Sequence, residues 1–268
     1  MSSNKGTALI TGASTGIGAV YADRLAKRGY DLILVARSKE KLDEVAKEIH
    51  SSTSRKAETL QADLSVAADV KRVADRLASD QLITAFVNNA GIASTGKLLE
   101  SDPDYLDQII QINITAFTRL AIAAATSFAK RSSGTIVNIG SVVALAPELL
   151  NGTYSGSKAY VQNFSTALKN ELADKGVTVQ VVLPGATATP LWGKSGVNVH
   201  TDLPAEWVMT TEDMVDASLA GLDQGEFVTI PALPDVADFE AYEESRLALA
   251  PSLSRRDPAP RYGIGTKR

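Results

Sequence analysis

A short apolar run, T-A-L-I-T at positions 7–11, passes directly into G-A-S-T-G-I-G and then into a periodic stretch that stops at Arg28 and Gly29. No other feature limits the fold of this chain as strongly. An apolar run this short reads as a buried strand, and the stretch behind it as a helix ended by glycine. A strand that turns through Gly12, Gly16 and Gly18 into a helix makes an anion cradle. Glycine lets the backbone approach a phosphate, and the helix N-terminus offers unpaired N–H groups at its positive dipole end. The spacing is G-x-x-x-G-x-G, not the G-x-G-x-x-G dinucleotide fingerprint. Its position between strand and helix still favours phosphate binding over an ordinary turn.

The alternation continues. D-L-I-L-V-A at 31–36 is continuously apolar, as in a parallel strand covered on both faces. It ends at Arg37 and Ser38, where many dinucleotide folds place an acidic residue on the adenosine ribose; here the residue is basic. A helix is predicted over 39–50, with Leu42, Val45, Ala46 and Ile49 on one face and a structural His50 at its end, then a polar connection over 51–56. A strand over 57–62 leads to Asp63 and Leu64. Asp63 either accepts from an adenine amino group or caps the helix that starts near Val66. A fourth strand, 83–87, ends in N-N-A-G at 88–91. Asp102 and Pro103 read as an N-cap and first helical residue, opening a long helix to 130 that is apolar around most of its girth. Asn113 in its middle is either a structural hydrogen-bonding residue or the holder of a water.

A fifth strand, 135–140, delivers Ser141. The next helix, to about 174, carries Tyr154 and Lys158, and a sixth strand, 177–183, ends in Pro184 and Gly185 with Thr187 and Thr189 beyond. Tyr154 and Lys158 stand four apart, so on a helix they share one face, ~40° apart around the axis. An ammonium beside a phenol favours phenolate, and the pair is expected to have a tyrosine pKa below its usual ~10. Tyr154, Lys158, Val161, Ser165, Leu168 and Leu172 form one stripe toward site and core. Gly156, Ala159, Asn163 and Ala167 form the opposite, small-residue stripe, suited to packing between subunits. Residues 190–210 lose periodicity but keep Leu191, Trp192, Val197, Leu203, Trp207 and Met209, which predicts a lid over an apolar ligand, with His200 exposed on it. A helix over 211–222, a strand over 227–230, a helix over 235–250 and a proline- and arginine-rich tail follow. The pattern predicts one doubly wound α/β domain over 1–268, about seven parallel strands with helices on both faces and a C-terminal extension over 235–268.

Composition excludes several functions. Net charge is −4, and the few basic clusters give no electrostatic footprint for nucleic acid or an anionic membrane. The absence of cysteine removes disulfides and thiolate chemistry, and two histidines make a multi-histidine metal site unexpected. No signal peptide precedes the first strand and no apolar run approaches the ~20 residues that span a bilayer, so a cytoplasmic location is expected.

Taken in order, T-G-x-x-x-G-x-G, N-N-A-G, Asn113, Ser141, Y-x-x-x-K and P-G resemble the short-chain dehydrogenase/reductase family over about 7–230. The resemblance implies a single Rossmann domain, dimeric or tetrameric, binding a nicotinamide dinucleotide. It implies that Gly12, Ser14, Gly16, Ile17 and Gly18 surround the pyrophosphate and adenosine side, with Thr15 in the same turn. Asp63 and Leu64 would meet adenine, Asn89, Ala90 and Gly91 the ribose region, and Thr189 the carboxamide or a phosphate, next to Pro184, Gly185 and Thr187. Tyr154 would be the proton donor and acceptor, Lys158 the ribose ligand that depresses its pKa, Ser141 the group orienting the carbonyl, and Asn113 the holder of a relay water. Arg37, helped by Ser38, favours NADP(H) through a charge-assisted contact to a 2′-phosphate, with NAD(H) possible. The implied reaction is metal-free hydride transfer between nicotinamide C4 and the carbon of an apolar carbonyl or secondary alcohol. The alternatives are an NAD-dependent alcohol dehydrogenase, or a dinucleotide-sensing protein without turnover.

Overall fold

The computed structural model describes residues 5–194 and 199–264. It divides into two compact units, Met1–Ala232 and Leu233–Arg268. The first holds a seven-stranded, all-parallel sheet of order β3-β2-β1-β4-β5-β6-β7. The strands are β1 (Thr7–Thr11), β2 (Asp31–Ala36), β3 (Ala57–Gln61), β4 (Ile83–Asn88), β5 (Gly134–Ile139), β6 (Val177–Val182) and β7 (Val228–Thr229). Four consecutive residues of β2 and of β6 are buried, as expected of strands covered on both faces. Strand order reverses direction between β1 and β4, the switch point where ligands bind at the carboxyl ends of such sheets.

Helices α1 (Gly16–Lys27), α2 (Lys39–Thr53) and α3 (Ala67–Ser79) make the first crossovers. On one face of the sheet, Tyr21, Ala22 and Leu25 of α1 pack with Leu42 and Ile49 of α2. On the other, Val70, Val73 and Leu77 of α3 meet Leu120, Ala124 and Phe128 of α5 (Phe117–Arg131). Helix α2 runs past the expected end at 50, because Ser51, Ser52 and Thr53 return their hydroxyls to carbonyls one turn back and Ser54 closes it in the left-handed conformation (φ 58°).

The long helix is interrupted in kind. Helix α4 (Pro103–Ile110), opened by Asp102 accepting from the Asp104 N–H, continues through a π-helical segment, Gln111–Ala116, into α5. Together they span 29 residues with a mean hydropathy of 1.4 over their most apolar window, half of it buried. This corrects the expectation that no apolar stretch approaches bilayer-spanning length. Arg119 breaks the uninterrupted run, while the average across it stays apolar, and its buried face is absorbed by the core.

Helix α6 (Gly152–Glu171) carries Tyr154, and its inward stripe is buried as expected. Of the opposite stripe, Gly156, Asn163 and Ala167 are exposed and Ala159 is half-buried. The stretch 190–210 is less irregular than expected. It contains a 3₁₀ turn (Trp192–Lys194), the four-residue α7 (Val199–Asp202) and a second 3₁₀ turn (Ala205–Trp207), and it is pinned by a bridge between Thr187 and Met209. Its residues 195–198, Val197 among them, and the side chain of His200 lie outside the described residues. Helix α8 (Thr211–Gln224), capped by Thr210, completes the unit. The second unit contains α9 (Val236–Ala248), capped by Asp235.

Candidate active site

The glycine turn is held from across the switch point. Thr11, fully buried at the end of β1, accepts hydrogen bonds at its hydroxyl from the backbone N–H groups of Asn89 (3.0 Å) and Ala90 (3.1 Å). Asn89 Nδ2 donates back to the Thr11 carbonyl at 2.9 Å. A Cβ on Gly18 would stand 2.3 Å from the Gly12 carbonyl oxygen, so only glycine allows α1 to start this close to the turn. Gly12 (φ +69°) and Gly16 (φ +56°) occupy the left-handed region. Helix α1 begins at Gly16 with no side-chain cap from Thr15 and no acidic residue in its first turn, which leaves its N–H groups and dipole for an anion. Thr189 faces this end: its Cβ is 3.3 Å from where a Cβ of Gly16 would lie. Ser14 is half-buried beside it and Ile17 packs on the core.

At the end of β2, Arg37 is exposed, and its guanidinium has no hydrogen-bond or ion-pair partner among the described residues. Ser38 accepts from the Lys41 N–H and caps α2. Asp63 does not cap α3. Its carboxylate accepts from both the backbone N–H (2.9 Å) and hydroxyl (2.7 Å) of Ser65, closing the turn before the helix. Burial pushes that carboxyl up, but the two Ser65 bonds and the Arg37 charge outweigh it and hold Asp63 below the usual carboxylate range. Leu64 is buried beside it.

On the other side of the switch point, β5 delivers Ser141, whose hydroxyl donates to the Pro184 carbonyl at 3.3 Å. Thr187 is buried and bonds the Gly185 carbonyl, while its own carbonyl accepts from the Trp192 indole at 2.8 Å. Trp192 is thus tied to the segment after β6. Trp207, by contrast, is 66% exposed.

Tyr154 and Lys158 are each 6% exposed. Lys158 Nζ donates to the Ile139 carbonyl at 3.0 Å and lies 5.8 Å from the centre of the Tyr154 ring. The expected depression of the tyrosine pKa is not found. Burial pushes Tyr154 up to about 12, offset only in part by the Ser141 hydroxyl, and pushes Lys158 down to about 8. Removing both groups from water costs their charged forms more than the mutual attraction returns.

Asn113, 2% exposed in the π-helical segment, is hydrogen-bonded within the fold. Its amide donates to the Ile92 carbonyl (2.9 Å) and the Ser157 hydroxyl (3.1 Å), and its oxygen accepts from the Ile92 N–H (3.0 Å). A Cβ on Gly91 would lie 3.2 Å from Asn113 Oδ1 and 3.7 Å from Lys158 Nζ. Gly91 therefore keeps a gap between an acceptor and an ammonium.

Ala93 and Val143 are buried with Tyr154 in one apolar cluster, against which Leu150 and Leu191 pack. Ala93, Val143 and Leu150, together with Thr11 and Ser157, are additions to the site read from the sequence, whereas Leu191 belongs to the predicted lid segment. Thr11 stands directly before the glycine turn, a position that signals it; nothing in the sequence brings Ala93 to Val143.

A family model described as short chain dehydrogenase matches residues 6–199. Human 17-beta-hydroxysteroid dehydrogenase type 3 is 37% identical over 205 residues, 75% of this chain and 65% of that protein. The chain spans less than two thirds of the length of the first curated relatives it matches. Among solved structures, a short-chain dehydrogenase from Sphingobium yanoikuyae in complex with NADPH is 44% identical with a TM-score of 0.91, covering 95% of this chain and 98% of that one. The bulky-bulky ketone specific alcohol dehydrogenase from Comamonas testosteroni is 40% identical with a TM-score of 0.89, covering 97% and 99%. The parallel sheet of this order, the glycine turn braced by Asn89, and the Ser141, Tyr154 and Lys158 group thus stand in a chain that belongs to the short-chain dehydrogenase/reductase family.

Proposed function

We propose that this chain is an NADP(H)-dependent carbonyl reductase and alcohol dehydrogenase acting on ketones and secondary alcohols with bulky apolar substituents. One observation carries the reading: the Tyr154 phenol is buried beside Ser141 and Lys158 in a wall made of Ala93, Val143, Leu150 and Leu191. An apolar wall around a proton-bearing group suits an apolar substrate with one polar atom to be protonated. The NADPH complex and the bulky-ketone specificity of the two similar structures support it.

The residues present fit a dinucleotide. Gly12, Gly16 and Gly18 leave a cradle that side chains would fill, at an uncapped helix N-terminus. Thr189 faces it, Ser14, Thr15 and Ile17 line the turn, and Asn89, Ala90 and Gly91 close the β4 side. Arg37, whose guanidinium has no hydrogen-bond or ion-pair partner among the described residues, would meet the adenosine end with Ser38, Asp63 and Leu64 adjacent, and Pro184, Gly185 and Thr187 would border the nicotinamide end. When bound, the dinucleotide supplies or accepts the hydride.

The protein positions the substrate oxygen and moves its proton. Tyr154, at about 12, remains protonated at neutral pH and is ready to donate to a carbonyl oxygen; in the reverse direction the phenol first passes its proton out to solvent, and the phenolate oxygen then takes the alcohol proton. Ser141 donates a hydrogen bond to the charge that develops on that oxygen. Lys158 would bring a positive charge to the ribose side, and the lack of a side chain at Gly91 supports a relay water near Lys158 and Asn113. The exposed stripe of α6, and Ile110 and Ile122 at 43% and 51% exposure, support assembly as a homodimer or homotetramer.

The test is nicotinamide absorbance with 1-phenylpropan-1-one and butan-2-one, each with NADPH and NADH. The expected result is the highest kcat/KM for the aryl ketone with NADPH. No turnover of either ketone, nor of the corresponding alcohols, with either cofactor would overturn the assignment.

A further inference from the structure

One member of the wall over Tyr154, Ala93, lies on a segment without helix or strand, residues 92–96. Its backbone is held by side chains from three different elements. Asn113 takes both the N–H and carbonyl of Ile92, the Tyr105 hydroxyl of α4 donates to the Ala93 carbonyl at 2.8 Å, and Asn151 Nδ2 donates to the Gly96 carbonyl at 2.9 Å. The Asn151 amide also reaches the Ser101 hydroxyl at 3.2 Å, which itself donates to the Lys97 carbonyl. Asn151 is 5% exposed, although it belongs to a turn.

The other end of the same amide does a second job. Asn151 is the N-cap of α6, its Oδ1 accepting from the Thr153 N–H at 2.9 Å. One planar group therefore joins the first turn of the helix that carries Tyr154 to the loop that walls it. The adjacent Leu150 packs on the same apolar cluster as Ala93 and Tyr154. The Asn113 pin also bonds the Ser157 hydroxyl of α6, beside Lys158. Asn151 is the one that ties the far end of the loop to α6.

We infer that Asn151 is a positioning residue that sets substrate size selectivity, by fixing the distance between the 92–96 loop and the Tyr154 turn. The inference rests on the proposed ketone reductase reading, but the device itself is a property of this chain. Its two functions separate chemically. Aspartate and serine are N-caps about as good as asparagine, so either keeps the helix start while losing both amide donors. Alanine loses the cap as well.

The experiment compares wild type with Asn151→Asp, Asn151→Ser and Asn151→Ala. Two readouts are taken: hydrogen exchange across 92–101, and the ratio of kcat/KM for 1-phenylpropan-1-one to that for butan-2-one. Loss of the two amide hydrogen bonds, to the Gly96 carbonyl and the Ser101 hydroxyl, predicts about 30-fold faster exchange in the loop for both cap-retaining variants, with the first turn of α6 as protected as in wild type. The ratio should change three- to tenfold through KM for the larger ketone, with NADPH affinity unchanged. Asn151→Ala alone should also loosen the start of α6. Wild-type exchange and wild-type selectivity in both Asn151→Asp and Asn151→Ser would overturn the inference, as would loosened exchange without any change in the ratio. If wild type reduces neither ketone, the ketone reductase reading fails, and unchanged loop exchange would then refute the clamp separately.

Discussion

Lys158 Nζ donates to the carbonyl oxygen of Ile139 at 3.0 Å, two residues before Ser141 on the same strand end. The ammonium is thus anchored to β5 rather than to a carboxylate, and burial alone sets its titration at about 8 against an ordinary 10.5. Between those values the unfolded chain binds the proton more tightly than the folded one. Stability should therefore rise with pH from about 8 to about 10.5, and the penalty should be fully present below 8. Tyr154 acts oppositely, costing stability from its ordinary 10 up to about 12, because the folded state holds that proton longer. Lys158→Met should outlast wild type in urea at pH 7 and lose that advantage by pH 10. Parallel midpoint curves over this range would show that Lys158 titrates normally.

Tyr154→Phe keeps the ring in its apolar cluster and removes the phenol. Turnover should fall about 10²- to 10⁴-fold, the range of general acid catalysis. NADPH affinity, followed by nicotinamide fluorescence, should stay near wild type. Near-normal turnover in this variant would remove Tyr154 from the mechanism.

Gly91 is absent from the positions with positive φ, so alanine fits its backbone. The added methyl would enter the gap between Asn113 Oδ1 and Lys158 Nζ, displacing the proposed relay water. Gly91→Ala should lower kcat roughly tenfold, the scale of one hydrogen bond to a charged group, with a smaller effect on cofactor affinity. A variant with unchanged kcat would place proton relay elsewhere.

Arg37→Asp should invert cofactor preference. A charge-assisted bond contributes about 1.5–3 kcal/mol, or roughly 10- to 150-fold, and the new carboxylate adds repulsion. The ratio of kcat/KM with NADPH to that with NADH reads this directly; an unchanged ratio would show that Arg37 points away from the phosphate.

Ala167→Arg places a charge on the exposed stripe of α6, opposite Tyr154. Sedimentation at micromolar concentration should show wild type as dimer or tetramer and the variant shifted toward monomer. A monomeric wild type would refute the assembly.

Much of this architecture is legible locally. The continuous apolar run at 31–36 and the glycines after β1 specify strand, turn and helix through short-range physics. So do the Asp102 and Thr210 caps and the inward stripe of α6. What escaped depends on contacts between distant segments. The π-helical stretch 111–116 follows ordinary helical propensity in sequence. Its register accompanies bonds from Asn113 to Ile92 and from Asn88 to the Phe117 carbonyl. The direction of the Tyr154 shift is not legible in sequence, because helical spacing shows a neighbour's charge but not how completely both groups leave water. Asp63 stands close enough to α3 to invite a cap, yet the Ser65 hydroxyl captures its carboxylate first. The 92–96 loop was invisible as a wall because its shape is dictated by Asn113, Tyr105 and Asn151, none of them neighbours in sequence.

The bracing of Thr11 by Asn89 and Ala90 joins residues 78 and 79 positions apart. A chain made from its N-terminus has the glycine turn and α1 long before it has the strand that holds them. Closing so long a connection carries an entropic cost that must be met before any of these bonds can form. The phosphate cradle is therefore complete only once β4 has docked, although its glycine turn is encoded first. Until β4 docks, the nascent protein has no finished pocket with which to capture a dinucleotide, and ligand can stabilise only chains that have already solved the hardest part of their topology.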